Sequence, residues 1–516
     1  MAATIAPYRP RVQPRRAGFA QLLHAEWTKL RTVRGWIIGL LLVPVMTAGF
    51  GTLISSGSEC GYMYPGANGQ LVSGPCSAPV GPGGEVVQDQ FYFVHQALAG
   101  NGSITARVTS LTSSNPQPWA KAGIIVKAAA GARGDGSPRS EAVPGSAYAA
   151  MLVTGSHGVR MQWNFTGDTA GLPGDVSAAS PRWLRLVRSG DTVTGYDSAD
   201  GSHWTRVGTV SLAGFPATAQ IGLLATIPPP RDQGHIAAGQ ELTATGTFDH
   251  VGVAGAAGGS WQGTGLGGPP GPGKNADGFQ RTATGFTVTG NGDIAPDVGE
   301  KTISDTLDGL FAGLIVAIVI GAMFVTAEYR RGLIRVTLAA SQGRGRVLAA
   351  KAIVVGLATF VAALAGCVIS VPIGEHLLRS HGNVVDPVPA LTWLRVVAGT
   401  AAVIAVIAML AVAFGAIFRR GAGAVTSAIV IVVVPWFLAV SSPALPVTVS
   451  DWLLRVSPSA ALAIQQTIPQ YPQVAGDYGP NGGFYPLVPL AGFAVLCAWV
   501  AAALWLAVRL LRRRDA

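Results

Sequence analysis

The chain has 516 residues, a formal net charge of +10, 49% hydrophobic residues, 12% charged residues and a mean hydropathy of +0.40. This composition excludes one soluble domain as the whole protein, because such domains hold about 50–250 residues and carry about 25% charged residues. The basic excess does not indicate a nucleic-acid partner, because the basic residues flank apolar runs, a distribution typical of membrane topology.

The N-terminal segment 1–35 is rich in arginine and precedes the first apolar run. Apolar residues recur in it at helical spacing, at Phe19, Leu22, Leu23, Trp27 and Leu30. With basic residues on its other positions, 17–34 is expected to form an amphipathic helix at the inner membrane surface.

Six apolar runs have the length of transmembrane helices, which need about 20 residues to cross a core of about 30 Å. They cover 36–54, 307–327, 352–374, 396–418, 424–440 and 487–508. The first run is not a cleaved signal peptide, because such signals have apolar runs of only about 7–15 residues. The sequence therefore predicts a membrane all-α unit of six transmembrane helices.

Basic residues near the ends of these runs predict the orientation, because cytoplasmic loops are enriched in Lys and Arg. Nineteen lie on one side: Arg9, Arg11, Arg15, Arg16, Lys29, Arg31, Arg34, Arg330, Arg331, Arg335, Arg344, Arg346, Lys351, Arg419, Arg420, Arg509, Arg512, Arg513 and Arg514. The two short loops on the other side carry only Arg379, Arg395 and Arg455. We therefore expect a plasma-membrane protein with a cytoplasmic N-terminus, a cytoplasmic tail at 509–516, and residues 55–306 outside the cell.

The extracellular loop 55–87 carries Cys60 and Cys76. Disulfides persist in oxidising compartments outside the cytoplasm, so the expected location permits a Cys60–Cys76 disulfide. Cys367 and Cys497 lie inside apolar runs and are expected to be packing residues. The four cysteines do not predict a zinc ribbon, and no metal site is predicted.

From 88 to 253 the sequence changes to short β-type runs separated by turn residues. The run 158–165 alternates clearly, with apolar positions at Val159, Met161, Trp163 and Phe165. Strands at such regular spacing predict an extracellular all-β sandwich or jelly roll inserted between spans 1 and 2. The Gly/Pro-rich stretch 254–306 is expected to be a flexible extracellular linker.

One motif in this region runs from Tyr196 to Trp204 and contains the turn dipeptide Asp200-Gly201. It has two interpretations. The first is a structural hairpin, which Asp-Gly favours because glycine accepts the positive φ of a tight turn. The second is a carbohydrate-binding site formed by Asp200, His203 and Trp204. The turn chemistry alone explains these residues, so the structural interpretation is favoured.

The strand pattern of 88–253 looks like that of concanavalin-like, laminin-G-like β-sandwiches of secreted and surface proteins. This resemblance implies a cell-envelope glycan as a ligand, without identifying one. The acidic residues are scattered, and no carboxylate pair has a spacing that suggests glycosidase chemistry.

Neither ion-driven transport nor ATP hydrolysis by this chain is favoured. The apolar cores of the six runs contain no titratable group that could carry a coupling ion, and Asp308 lies at the edge of the second. The nearest match to a phosphate loop, 268–275, has Asn275 where Mg²⁺ needs Ser or Thr, and its prolines remove amide donors. The chain is therefore not expected to be an enzyme or to bind a cofactor directly.

The run AEYRRGLIRVTLAAS at 327–341, continuing to Lys351, and the run LLHAEWTKLRT at 22–32 resemble motifs of type-2 permeases of ATP-binding-cassette exporters, especially actinobacterial ones. The resemblance implies the type-2 exporter permease fold. It implies two cytoplasmic ATPase subunits that hold ATP and Mg²⁺, and a second permease copy that completes a dimer. It also implies that 451–469 is an extracellular re-entrant helix.

In this family the loop 328–351 forms a coupling helix that rests on the ATPase. The residues that would make this contact are Glu328, Tyr329, Arg330, Arg331, Gly332 and Arg335. Glu328 near a helix start would complement the helix dipole, and the arginines could face an acidic groove. The alternative is that the arginines only set topology and bind anionic membrane lipid.

The preferred hypothesis is a permease subunit that exports an apolar or amphipathic molecule, because its spans are uncharged. A second hypothesis is a multi-span surface receptor or adhesin whose β-sandwich binds carbohydrate. Six spans with an arginine-rich inner loop exceed what anchoring requires. A third, a membrane-tethered glycan hydrolase, is disfavoured because paired acids are missing.

Overall fold

The structure is a computed structural model that describes residues 18–58, 62–65, 71–74, 78–129, 142–228, 242–267, 277–298, 301–333, 343–441, 445–474 and 478–514. Within these residues, six helices are long and apolar enough to cross a membrane. Each overlaps one of the six predicted runs, so the prediction of six membrane-capable helices is confirmed.

The helices are α1 (Phe19–Thr32), α2 (Arg34–Ser56), α3 (Leu310–Arg330), α4 (Arg344–Ser380), α5 (Ala390–Phe418), α6 (Gly421–Val432), α7 (Val434–Ser441), α8 (Val447–Val456) and α9 (Pro489–Arg514). Short 3-10 helices cover Asp305–Leu307, Pro458–Gln465 and Pro480–Gly482. The predicted fifth span consists of α6 and α7, which are separated at Val433, two residues before the helix-disrupting Pro435. The predicted re-entrant segment 451–469 comprises the end of α8 and the buried 3-10 helix that follows.

Helix α4 has 37 residues and is therefore about 55 Å long, well beyond the roughly 30 Å of a bilayer core. This helix packs closely against α2 because a small residue lies where the two helices cross. A Cβ at Gly366 of α4 would approach Cα of Pro44 to 2.9 Å, so only glycine permits this separation. Helix α5 is the most buried of the six spans.

The strands follow α2 and precede α3 in the chain. They are β1 (Tyr62–Pro65), β2 (Leu71–Gly74), β3 (Val87–Asp89), β4 (Phe91–Ser113), β5 (Lys121–Ala128), β6 (Tyr148–Thr154), β7 (Val159–Trp163), β8 (Gly167–Ala170), β9 (Arg182–Ser189), β10 (Thr192–Ser198), β11 (Thr205–Ser211), β12 (Thr218–Thr226), β13 (Ala244–Leu266), β14 (Gly278–Arg281), β15 (Gly285–Gly290) and β16 (Ile294–Pro296). All the strand pairs are antiparallel.

The large sheet folds over itself at β4. The first part of β4 pairs with β12 up to Ala99, and the second part pairs with β9 from Gly102 onward. Gly100, with φ +67°, supplies the bend between them. One layer therefore contains β12, β5, β6, β7 and β8, and the other contains β9, β10 and β11. Strand β13 runs along the other side of β4.

The two layers interlock through small and flexible residues. A Cβ at Gly195 of β10 would lie 2.6 Å from the sulfur of Met151 and 2.8 Å from that of Met161, which belong to β6 and β7. The layers enclose a core with Val94, Ile124 and Leu186 among its buried residues. The domain is a large antiparallel β unit with a sandwich-like core, as the alternation predicted.

Two expectations for this domain are wrong. Residues 254–266 are not a flexible linker, because they continue β13 in the described structure, where backbone pairing with β4 orders the Gly/Ala-rich sequence. Residues 277–298 also contain three strands, so the domain extends past 253. Phe165 does not share a face with Met161, because the chain leaves β7 at Asn164 with positive φ and Phe165 joins a different apolar cluster.

A second apolar cluster covers the other face of the β5–β6 layer and includes Phe93, Ile125 and Leu152. Strands β3 and β16 pair with each other over this face. Two buried ion pairs hold them there. Lys121 Nζ lies 2.6 Å from Asp293 Oδ1, and Lys127 Nζ lies 2.7 Å from Asp89 Oδ2.

The β3–β16 side of the domain contacts the helical unit. Ala295 and Val298 share an apolar cluster with Ile468, Val474 and Phe484. Polar contacts flank this cluster: the Val86 amide donates to Asp386 Oδ1 at 3.2 Å, and Gln473 Nε2 donates to the Thr166 carbonyl at 3.0 Å. The β domain is therefore packed directly on one end of the helix bundle.

Candidate functional site

Helix α1 lies against the opposite end of the bundle and buries an acidic residue. Glu26 and Leu30 are buried, whereas Trp27 is 44% exposed. The face of α1 that packs on the core therefore differs from the predicted apolar face. It contains Leu23, Glu26 and Leu30, and Trp27 lies outside it. A carboxylate in this position requires cationic partners, because an unpaired buried charge is strongly unfavourable.

The partners form a closed ring of four charged side chains, which we call the inner ring: Glu26, Lys29, Glu328 and Lys351. Lys351 Nζ lies 2.8 Å from Glu26 Oε2 and 2.6 Å from Glu328 Oε1. Lys29 Nζ closes the ring at 2.8 Å from Glu26 Oε1 and 3.1 Å from Glu328 Oε1. The ring joins α1, α3 and α4, and its formal charges cancel.

The degree of burial differs around the inner ring. The side chains of Lys351 and Glu26 are only 2% and 3% exposed, whereas Lys29 is 42% exposed and faces out of the bundle. Burial alone would lower the pKa of Lys29, but contacts with Glu26 and Glu328 outweigh it and raise the pKa above the usual lysine value. The contacts of Lys29 with the two carboxylates therefore favour its charged form.

Aromatic and backbone contacts surround the inner ring. Lys351 Nζ lies 5.1 Å from the ring centroid of Phe324, a cation–π arrangement. Arg344, at the start of α4, donates to the carbonyl of Leu511 at 2.7 Å. The guanidinium of Arg419 lies 5.3 Å from the ring centroid of Tyr329. These contacts bring the ends of α3, α4, α5 and α9 to one place.

Of the residues expected in the coupling loop, Glu328 and Tyr329 are in the last turn of α3. The expectation that Glu328 starts a helix is therefore wrong. At the C-terminal end of a helix its charge is unfavourable, and the two lysines compensate for this. Arg330, Arg331 and Gly332 follow and are exposed.

Gly332 has φ +67° and turns the chain away from α3. Arg335 lies outside the described residues. The exposed arginines and the inner ring are thus adjacent in the chain, but only the ring is part of the packed bundle.

Lys351, Lys29 and Glu26 were not singled out by sequence as functional residues. The pattern that could have revealed Glu26 is its position between Leu22 or Leu23 and Leu30 at spacings of three and four, which places it on the apolar face. Lys351 stands at the start of an apolar run, where it resembles an ordinary boundary residue. Their pairing depends on tertiary structure.

The hairpin residues Asp200, His203 and Trp204 lie in the loop between β10 and β11. Asp200 Oδ1 accepts hydrogen bonds from the Ser202 and His203 amides, both at 2.8 Å, and Oδ2 lies 2.7 Å from His203 Nδ1. The His203 amide and ring hold the pKa of Asp200 well below its usual range, and Asp200 raises the pKa of His203. The guanidinium of Arg185 covers the Trp204 ring at 3.9 Å from its centroid.

These contacts occupy the Asp200 carboxylate within its own loop. The loop is longer than the two-residue turn that Asp-Gly suggested, since the adjoining strands pair Asp197 with Thr205. A carbohydrate role for Asp200, His203 and Trp204 stays a prediction.

The predicted disulfide cysteines, Cys60 and Cys76, lie outside the described residues. Cys367 is buried and free, and Cys497 is exposed and free. Among the residues that the structure describes, no group of three or more His, Cys, Asp or Glu side chains is arranged to hold a metal ion.

Comparison with known proteins gives one match over almost the whole chain. The sequence profile of a family described as "ABC-2 family transporter protein" matches residues 22–516. No curated protein matches the chain.

Solved structures that resemble part of it do so at low identity, as two examples show. A functionally unknown protein from Saccharomyces cerevisiae is 15% identical, with 39% of this chain and 86% of that chain covered and a TM-score of 0.20. Scytalido-glutamic peptidase, solved with a peptide-based transition state analog, is 10% identical. The match covers 40% of this chain and 98% of the peptidase, with a TM-score of 0.24. Neither likeness says anything about activity.

Proposed function

The chain belongs to the ABC-2 family of transporter proteins and is the membrane permease subunit of an ATP-binding-cassette transporter, and we propose that it works as an exporter coupled through its inner ring. The permease is not itself an enzyme, and ATP hydrolysis takes place on a partner subunit. ATP and Mg²⁺ are held by that ATPase, two copies of which serve a dimer of permeases.

The inner ring lies at the cytoplasmic end of the bundle in this proposal. Basic residues gather at that end, with Arg34 at the start of α2, Arg331 after α3, Arg344 at the start of α4, Arg420 before α6 and Arg513 in α9. Lys and Arg concentrate on cytoplasmic sides, which supports this orientation. Both chain termini are then cytoplasmic. The β domain, packed on the other end, is extracellular, where a cell-envelope glycan can reach it.

The observation that carries the coupling proposal is the position of the ring around the loop that follows α3. Glu328 precedes the loop and Lys351 follows it, so one ion pair of 2.6 Å ties its two ends. Glu26 adds α1 to the same joint at 2.8 Å. A push by the ATPase on the segment after α3, which is exposed at 331–333, is therefore passed to three helices together. Displacing one charge alone would leave its buried partners with too few opposite charges.

The apolar surfaces suit a dimer in lipid and an apolar or amphipathic cargo. Helix α2 is largely exposed along its length, with Leu41, Val45 and Leu53 each more than 60% exposed. Such surfaces require lipid or a second permease copy. The charged residues of the inner ring lie at the ends of the apolar runs and are paired with one another. The proposed source of energy for export is therefore ATP hydrolysis by the partner.

The test uses the permease and its ATPase reconstituted in vesicles, with a fluorescent phospholipid as the transport probe. Glu328→Ala should keep the ATPase bound but abolish ATP-driven movement of the probe. Arg346→Ala is the matched control, because Arg346 is exposed at the start of α4 and lies outside the ring. Normal transport by Glu328→Ala, or transport by the wild type without the ATPase, would contradict the proposal.

A further inference from the structure

A row of four paired residues crosses the β9–β10–β11 layer. Thr105 of β4 pairs with Arg185 of β9, Arg185 with Tyr196 of β10, and Tyr196 with Arg206 of β11. Directly paired residues have side chains on the same face of a sheet. This face points out of the domain, because alternate positions such as Leu184 point into the buried core. We call it the outer face.

The guanidinium of Arg185 is held in place on the outer face. It stacks at 3.9 Å from the ring centroid of Trp204, and its Nε donates to Thr105 Oγ1 at 3.1 Å. Within the described part of the chain, its two terminal nitrogens have no hydrogen-bond partner. Such a fixed planar fork is suited to bind a carboxylate or phosphate with two hydrogen bonds.

The charges on this face are only partly balanced. Arg107 pairs with Asp249 at 2.5 Å, but neither Arg185 nor Arg206 forms an ion pair with any residue that the structure describes. Arg206 is exposed and lies two strand spacings, about 10 Å, from Arg185. The partly exposed ring of Tyr196 lies between the two cations. The face therefore complements a chain with repeated anionic groups and flat apolar surfaces between them.

Lipid headgroups are the wrong partner for this face. The domain contacts the helical unit through the β3–β16 side, where Ala295 and Val298 pack on Phe484. Going away from the helical unit, β3 and β16 come first and pack on the β5–β6 layer. The β9–β11 layer packs on the far side of the β5–β6 layer. The outer face is therefore on the side of the domain remote from the membrane.

We propose that the outer face binds an anionic glycan, with Arg185 and Arg206 holding its carboxylate or phosphate groups and Tyr196 packing against a sugar ring between them. This inference rests on the extracellular placement of the β domain proposed above. It does not depend on the hairpin carboxylate Asp200, whose oxygens are engaged within its own loop.

The experiment measures binding of immobilised glycans by the purified full-length protein in detergent. The probes are phosphomannan, polygalacturonate and neutral mannan. The wild type should bind at least one anionic polymer, with affinity falling as salt is added, and should bind neutral mannan weakly or not at all. Arg185→Gln and Arg206→Gln should each weaken binding by roughly tenfold, since a charge-assisted hydrogen bond contributes enough energy for that change.

Arg281→Gln is the matched control, because Arg281 is also exposed but lies on β14, away from the outer face. Arg206→Gln is the variant that should fold normally, because this exposed side chain lies on β11, the first strand in the sheet order. Its effect on binding is therefore not explained by misfolding. Binding of phosphomannan alone identifies phosphate as the recognised group, and binding of polygalacturonate alone identifies carboxylate; either supports the proposal.

Equal binding of neutral mannan, binding of none of the three polymers, or full affinity in Arg206→Gln would overturn the proposal. Binding to anionic phospholipid vesicles without binding to either anionic glycan would also overturn it. ATP-driven transport by the reconstituted complex is measured separately. A failure of glycan binding can therefore be distinguished from a failure of the proposed permease function.

Discussion

Lys351 and Glu26 meet at 2.8 Å although 325 residues separate them in the chain. One belongs to a helix that spans the membrane and the other to the helix that lies against its end. Both side chains are almost completely buried. Their contact closes the inner ring and fixes α1 on the bundle.

Replacing Lys351 with methionine should destabilise the protein by about 3 kcal/mol, because it leaves Glu26 buried with only the half-exposed Lys29 to balance two carboxylates. Thermal unfolding of the purified protein in detergent measures this. The double variant Glu26→Gln and Lys351→Met should recover part of the loss, since it restores charge balance. Arg346→Met, an exposed control, should change the midpoint little. A neutral effect of Lys351→Met would contradict the importance of the ring.

Reversing Arg330 and Arg331 to Glu should weaken capture of the ATPase by at least about tenfold, because repulsion between like charges at an interface costs several kcal/mol. The amount of ATPase that co-purifies with the permease reports this. Arg512→Glu and Arg513→Glu together make the matched control, because both residues are exposed at the same end of the bundle. If both pairs of reversals behave alike, the arginines act through topology or lipid and not through a specific contact.

Topology can be tested by labelling with a membrane-impermeant thiol reagent on intact cells whose envelope admits it. In a variant without native cysteines, a cysteine at Ser156 of the β domain should react. One at Arg420, between α5 and α6, should react only after the membrane is opened. Both positions are exposed in the structure, so burial does not confuse the comparison. The reverse pattern would invert the proposed orientation.

Cys60 and Cys76 should be joined in the mature protein. The hairpin of β1 and β2 pairs Tyr62 with Gly74, and each cysteine lies two residues beyond this pair in sequence. The proposed extracellular location is an oxidising compartment, in which a disulfide persists. Mass spectrometry of unreduced peptides should find the linked pair. Two alkylated thiols in protein collected under alkylating conditions would rule it out.

The fold around Asp386 should become more stable on acidification, because the buried carboxyl is then neutral. Burial, with nearby Asp297 and Glu85, raises the pKa of Asp386 to about 6 from its usual 3.8. The folded protein therefore holds a proton between about pH 4 and 6 that the unfolded chain releases, so stability falls as the pH rises through this window. Thermal unfolding should show that the wild type is less stable than Asp386→Asn at pH 7.5, by a free energy of unfolding on the order of 2 kcal/mol. This difference should be smaller at pH 5. A difference that is constant with pH would exclude Asp386 as the titrating group.

The spans could be predicted from sequence because an apolar run of about 20 residues is a local property with a single physical meaning. The strand 121–128 could be predicted as well, but not that Lys121 and Lys127 would both be fully buried in it. Their acidic partners, Asp293 and Asp89, are distant in the chain, and only the folded sheet brings them together.

The order of the stretch after 253 also depends on residues that are distant in the chain. Its glycines and alanines suggest flexibility when read alone, yet β4 supplies hydrogen-bonding partners as far as the pair Leu266 and Phe91. The candidate site was located only in part. Glu328 was found, but its helical position, and the roles of Glu26 and Lys351, follow from packing that no local pattern contains.

The chain enters and leaves the β domain at neighbouring points. Val87 of β3 is paired with Pro296 of β16, so the two ends of the domain are about one strand spacing, roughly 5 Å, apart. A module with adjacent ends can be added to or removed from a connection between two helices without forcing them apart. The helical unit thus presents a single attachment point at which evolution, or protein design, could exchange one displayed domain for another while α2 and α3 keep their packing.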